Sequence, residues 1–165
     1  MTRIFRFAST IFSCILLAVL LLAYVFLRSE GLSARKKPGN FEYAIANFAL
    51  GLSVPAEAKQ LKNPLTADSQ VLAEARNRFK EHCAVCHAED GAGKTPLAAG
   101  LSPEVPDLHA DHIQNLTDGE LFYIIKNGVR FTGMPGWDFE DNHNWGLVAL
   151  IRQFAKEKPA PPPAK

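Results

Sequence analysis

From Phe7 to Leu27 the chain runs without a formal charge and is dominated by Leu, Ile, Val, Ala and Phe. As a helix rising ~1.5 Å per residue, such a run crosses a hydrocarbon layer of ~30 Å. A core helix would carry a polar stripe along its length, whereas Ser9, Thr10, Ser13 and Cys14 gather towards one end. The run predicts a single transmembrane helix over 7–27, and it leaves the rest of the 165-residue chain room for one compact domain with appendages. It exceeds the ~7–15-residue apolar stretch of a cleaved signal, and the small-residue arrangement after it is the weak Ser29-Glu30-Gly31, so an uncleaved anchor is expected. Cys14 invites a lipoprotein alternative, but the apolar run continues well beyond it, as suits a small side chain in lipid. Arg3 and Arg6 precede the run while Arg28, Arg35, Lys36 and Lys37 follow it, so charge alone does not put residues 1–6 in the cytoplasm.

Charge divides along the chain. Residues 1–62 hold 8 Lys/Arg against 3 Asp/Glu, and the remainder holds 10 against 14, a formal −4. An acidic globular part argues against nucleic acid as a partner.

Residues 28–65 read as a juxtamembrane helical spacer. Phe41, Ile45 and Phe48 share one helical face up to Gly51, which can stop the helix, and Ser53 with Pro55 suggests a second helix start. The main domain is expected over 66–157. Asp68 can cap a helix running to His82, with Val71, Leu72, Ala75 and Phe79 on its buried face. From there to Asp111, Gly91, Gly93, Pro96, Gly100, Pro103 and Pro106 exclude a long helix or central strand. A loop of that length in a compact domain requires something other than side-chain packing to organise it. Thr117-Asp118-Gly119-Glu120 is a capping box with Leu116 and Leu121 as a staple, followed by Leu121, Phe122, Ile124 and Ile125 and closed by Gly128. A last helix is expected from about Asn142 to Lys156, and residues 158–165 form a Pro-rich tail expected to be disordered. No β pattern and no internal repeat is visible, so the fold class is all-α.

The strongest chemical signal is Cys83-Ala84-Val85-Cys86-His87. Two thiols three residues apart can form thioethers along one edge of a porphyrin, and the adjacent imidazole is then delivered to the iron. This predicts one covalent haem c, held by Cys83 and Cys86 with His87 as iron ligand. A zinc site would need a fourth ligand from His82, His109, His112 or His143, and a thioredoxin-like pair would need a βαβ context that is absent. Met134 is displayed in the loop Gly133-Met134-Pro135-Gly136 rather than within a periodic helix, and is the expected sixth ligand. His109, His112 and His143 are the competitors, each in a polar stretch that suggests a solvent-facing ring. Two strong protein ligands leave no position for substrate, so the pattern predicts a low-spin one-electron carrier rather than an oxygen-binding or peroxide-cleaving protein.

With these residues placed, Asp68 to Phe154 resembles the class I (mitochondrial-type) cytochrome c domain. The resemblance implies a fold in which the first and last helices cross near the haem edge, with Phe79 on the first and Ile151 and Phe154 on the last. Ala75 stands where the family usually has the glycine of the crossing. Asn63-Pro64, Thr95-Pro96, Pro106-Asp107-Leu108 and Gly133-Met134-Pro135 are similar to membrane-anchored or exported monohaem cytochromes c of Gram-negative bacteria, which resemble the cytochrome domains of oxidase and dehydrogenase assemblies. The family implies a proline carbonyl, from Pro106 or Pro103, accepting the hydrogen bond of the His87 ring. Trp137 is implied as a haem-edge or propionate neighbour, with Arg130 a candidate charge partner; a core-capping role suits Trp137 equally. Trp145 reads as helix packing.

Covalent haem attachment takes place on the outer side of a bacterial inner membrane. The haem domain is therefore expected in the periplasm, with residues 1–6 cytoplasmic. The leading expectation is a membrane-tethered shuttle between redox protein partners, a donor and an acceptor that are themselves membrane-associated. The alternatives are a cytochrome or redox-sensing subunit held permanently in a larger oxidase or dehydrogenase complex, and a haem peroxidase, for which the single Cys-x-x-Cys-His motif is a poor match.

Overall fold

The computed structural model describes residues 2–29, 33–34 and 36–157; the expected Pro-rich tail lies outside them. The chain divides into two units, Met1–Lys36 and Lys37–Lys165. The first holds α1 (Thr2–Ser29), in which Phe5–Arg28 is long and apolar enough to cross a membrane.

The second unit is all-α among the described residues: α2 (Asn40–Ser53), α3 (Ala56–Gln60), α4 (Ser69–His82), α5 (Ala84–His87), a 3₁₀ turn at Ala98–Gly100, α6 (Asp111–Gln114), α7 (Asp118–Asn127) and α8 (Asp141–Phe154). Two of these begin where their side chains dictate. Asp68 Oδ1 accepts from the backbone N–H groups of Gln70 and Val71 at 2.9 Å each, fixing the start of α4. The capping box of α7 forms, with Glu120 N–H donating to Thr117 Oγ1 at 3.2 Å and Thr117 N–H to Glu120 Oε2 at 2.8 Å.

The spacer differs from its sequence pattern. Gly51 lies inside α2, which continues to Ser53, and Ser53 Oγ donates back to the Leu50 carbonyl instead of capping the next helix. Pro55 takes the cap position of α3. Residues 37–65 share the compact unit of the later helices: Val54 is buried, and α3 crosses the first turn of α7 so closely that a Cβ on Gly119 would lie 1.8 Å from the Ala58 carbonyl oxygen.

The core is built around α8, which is buried on nearly every side from Asn144 to Ile151 and again at Phe154. Ala75 and Phe79 of α4, Leu121, Phe122 and Ile125 of α7, and Leu108 from the loop pack against it, while Ile124 is only half-buried. Phe79 meets Phe154 edge-on at 5.3 Å, and Phe122 stacks on Trp145 at 4.2 Å. The glycine of the helix crossing is on α8 rather than α4: a Cβ on Gly146 would sit 3.6 Å from the Ala75 Cβ.

Candidate functional site

The Cys-x-x-Cys-His segment follows α4 without a break. Cys83 N–H donates to the Phe79 carbonyl at 2.8 Å, and the Cys83 carbonyl then accepts from Cys86 N–H at 3.1 Å and His87 N–H at 2.9 Å. One turn of helix thereby places both thiols and the imidazole on a stem anchored in the core, since Cys83 packs against the core cluster. Both thiols are free and half-buried. Burial pushes the Cys83 thiol up to about 11, with the neighbouring Cys86 adding to the rise, so Cys83 is held protonated. Ala88, with φ of 61°, then turns the chain sharply away.

His87 is half-buried with its Nδ1 fully enclosed, and desolvation lowers its pKa and favours the neutral form, the form in which an imidazole binds metal. The Pro106 carbonyl faces the ring and acts in the opposite direction, although Nδ1 has no partner at full hydrogen-bonding geometry. Of the two prolines singled out in the sequence, it is Pro106 that faces His87. Its approach depends on Gly93. That residue donates its N–H to the His87 carbonyl at 2.8 Å, has φ of +70°, and lies so close to the Val105 and Pro106 carbonyls that a Cβ would fall within 2.9 and 3.0 Å of their oxygens. Thr95 Oγ1 donates to the Val85 carbonyl at 2.8 Å, and Leu108 N–H to the Gly91 carbonyl at 2.9 Å. The Gly/Pro-rich loop is thus organised by hydrogen bonds to and around the Cys83–His87 turn.

Met134 lies on a second tight loop, after α7. Val129 N–H donates to the Met134 carbonyl at 3.1 Å and Met134 N–H to Thr132 Oγ1 at 3.1 Å, while a Cβ on Gly128 would meet the Pro135–Gly136 backbone at 2.5 Å. The Met134 side chain is half-buried. A Cβ on Gly133 would lie 2.8 Å from Leu101, so the 101–106 segment borders the Met134 loop at one end and His87 at the other. Trp137 is half-buried and its ring stacks on Phe139 at 5.3 Å, with the His82 ring 5.0 Å away; its backbone N–H donates to the Ile125 carbonyl at 3.1 Å. Arg130 is exposed and forms no ion pair with the described residues.

His109 corrects the expectation of a solvent-facing ring. Its side chain is 11% exposed, lies against Phe154 at 5.7 Å, and bonds through Nδ1 to Asp107 Oδ1 at 2.6 Å. His112 is exposed and His143 half-buried. Among the described residues no three His, Cys, Asp or Glu side chains gather into a metal-holding group. The residues present do suit a covalent haem: two thiols and a neutral imidazole on one rigid turn, and a buried Nδ1 aimed at a carbonyl.

Several supporting residues have structural roles that the local sequence does not reveal. Asn144 is fully buried and donates to the Trp137 carbonyl at 3.3 Å, tying α8 to the end of the Met134 loop. Asn63 donates to the Trp145 carbonyl at 2.9 Å across a separation in sequence that no local pattern reveals. Arg152 bonds to Asp118 Oδ1 at 2.9 Å, to the Gln114 carbonyl at 2.7 Å and to the Leu116 carbonyl, fastening the approach to α7 onto α8.

Residues 70–151 match the family described as cytochrome c oxidase, cbb3-type, subunit III. That segment is related to this family. It contains Cys83, Cys86, His87, Pro106, Arg130, Met134 and Trp137, and the match is to a subunit of an oxidoreductase complex, not to an enzyme acting alone. No curated protein matches the chain. The fold is similar to that of a chain in the reducing HAO-like protein complex of Kuenenia stuttgartiensis, with a TM-score of 0.51 at 18% identity over 55% of this chain and 46% of that one. The chain therefore spans less than half of that protein's length, and the likeness is one of fold.

Proposed function

We propose that this chain is a membrane-anchored, single-haem cytochrome c subunit that passes electrons one at a time within a larger oxidoreductase complex. The observation that carries the reading is the Cys83–His87 turn, with its half-buried neutral imidazole facing the Pro106 carbonyl, inside the segment related to an oxidase subunit. The same relation favours a fixed subunit over the free shuttle that sequence reasoning put first.

When bound, haem c supplies a one-electron iron couple. Cys83 and Cys86 would hold the ring through thioethers, which makes its loss nearly impossible. His87 would be the proximal ligand, oriented by Pro106, a partner that raises ligand basicity. Met134, on its stiff loop, would be the sixth ligand; a thioether favours the ferrous state and raises the potential relative to a second histidine. Two ligands supplied by the chain, His87 and Met134, would keep reorganisation on electron transfer small and leave no position for substrate. The Phe5–Arg28 helix would tether the chain to the inner membrane, with the haem domain on the periplasmic side.

The test is extraction from membranes in mild detergent, followed by spectroscopy. The expected result is stoichiometric co-purification with larger redox subunits, haem that stays on the polypeptide in acidified organic solvent, and no carbon monoxide binding by the reduced native state. Met134→Ala is expected to open the iron to carbon monoxide. A monodisperse monomer would return the reading to a shuttle, and haem lost to the solvent would reject the cytochrome c assignment altogether.

A further inference from the structure

Helix α2 has an apolar stripe that its own domain does not cover. Phe41, Ile45, Phe48 and Leu52 follow helical spacing along one side and are 80%, 52%, 69% and 71% exposed. Another flank faces the domain across a cleft of about 170 Å³ that Tyr43 and Ala46, themselves exposed, share with Pro38, Ser102, Pro103 and Phe131. Lys37 pairs with Glu104 at 2.6 Å just before the helix, and Lys59 Nζ donates to the Gly51 carbonyl at 2.7 Å near its end. Helix α2 is thus tied to the domain near its two ends and turns its greasiest side outward. Phe131, at the edge of the same cleft, is 92% exposed and adopts a φ of 63°, a left-handed conformation rare for an aromatic residue. The stripe and Phe131 are thus two separate displays of apolar side chains, on different sides of α2.

We infer that this face lies on the lipid surface into which the chain's own N-terminal helix is anchored, with Phe41, Ile45, Phe48 and Leu52 entering the boundary between headgroups and acyl chains. Chain length supports the bilayer as occupant: residues 29–39, even fully extended at ~3.5 Å each, allow α2 to stray only about 40 Å from the end of the span. Composition supports it too, because Arg28, Arg35, Lys36 and Lys37 stand against Glu30 alone in the connection, a cationic stretch of the kind that anionic headgroups attract. A helix of this kind lies in the membrane plane with its apolar face ~5–10 Å deep. The consequence is orientational. With α2 flat on the surface, the cleft it shares with Pro103 and Phe131 lies on the flank turned away from the lipid, and a redox partner must approach the domain from the side or from above.

The inference rests on the reading of residues 5–28 as a membrane span, and the experiment separates the two. The full-length haem-loaded chain, with Cys14→Ser, is reconstituted in phosphatidylethanolamine–phosphatidylglycerol vesicles and reduced. Spin labels are attached in turn at Leu20→Cys, Phe48→Cys and Asn47→Cys, and their accessibility to oxygen and to a water-soluble nickel chelate is compared. The expected result is strong oxygen preference at position 20, a severalfold oxygen preference at position 48, and nickel preference at position 47. Equal nickel access at positions 47 and 48 would overturn the inference while leaving the span intact. Protection at position 48 from both reagents would overturn it in favour of a protein covering the stripe, and loss of oxygen preference at position 20 would overturn the span itself and this inference with it.

Discussion

Phe154→Ala removes the largest side chain that the core encloses completely, 1% exposed in the folded chain. Truncating a buried Phe costs about 3–5 kcal/mol, with the value set by how far the surroundings can collapse into the cavity. Here they cannot collapse easily. The Phe79 ring meets Phe154 edge-on at 5.3 Å, the His109 ring lies at 5.7 Å, and Gly91 approaches so closely that a Cβ there would be 3.0 Å from the Phe154 ring. Gly91 is itself fixed by the bond from Leu108 N–H to its carbonyl at 2.9 Å. The upper part of the range is therefore expected, about 4–5 kcal/mol, a large share of the ~5–15 kcal/mol that holds a typical domain together. For a domain of this size the midpoint should fall by roughly 15 °C. The assay is urea and thermal unfolding of the haem-loaded full chain, followed by far-ultraviolet circular dichroism. A double-mutant cycle with Phe79→Leu should show coupling of about 1 kcal/mol from the aromatic pair. A loss below about 1.5 kcal/mol, or strict additivity with Phe79→Leu, would refute the claim that these two rings lock α4 to α8.

Gly146→Ala should be tolerated or even stabilising by up to about 1 kcal/mol, because its new methyl would make ordinary contact with Ala75 at 3.6 Å and alanine favours the helix; a loss above 2 kcal/mol in urea unfolding would show the crossing to be tighter. Gly93→Ala must leave its φ of +70° or displace the Val105–Pro106 carbonyls, so it should cost about 2 kcal/mol or more and shift the reduction potential through His87; an unchanged potential in redox titration would separate Pro106 from the iron. The Asp107 carboxyl would be raised by burial, but the backbone N–H and ring of His109 outweigh this and hold it below the ordinary 3.8. Its stabilising contribution is therefore complete above that value and disappears as pH falls through the lower folded value, so Asp107→Asn should flatten the acid limb of the urea midpoint between about pH 5 and 2. A variant with the same acid slope as the parent would deny Asp107 this role.

Where chemistry is local, it was legible. The apolar span, the Asp68 cap, the Thr117–Glu120 box and the Cys83–His87 motif each depend on residues a few positions apart, so spacing alone exposes them. Boundaries that depend on packing were not legible. Gly51 reads as a stop but sits inside α2. Ser53 reads as a cap but ends the preceding helix, its hydroxyl already committed to Leu50. His109 reads as a polar surface residue because nothing near it in sequence reveals that Phe154 will cover it.

The sequence by itself determined most of the longer helices and an apolar run long enough to cross a membrane, and it marked the residues proposed to do chemistry, since these are governed by short-range periodicity and by the identity of neighbouring residues. Tertiary structure decided which distant residues support that chemistry: Pro106 rather than Pro103 facing His87, Gly146 rather than position 75 supplying the glycine of the crossing, and Asn144 reaching the end of the Met134 loop. The physical reason is that close approach and burial are properties of pairs brought together from far apart in the chain. A glycine's missing Cβ or an asparagine's second hydrogen bond has meaning only against the surface it meets.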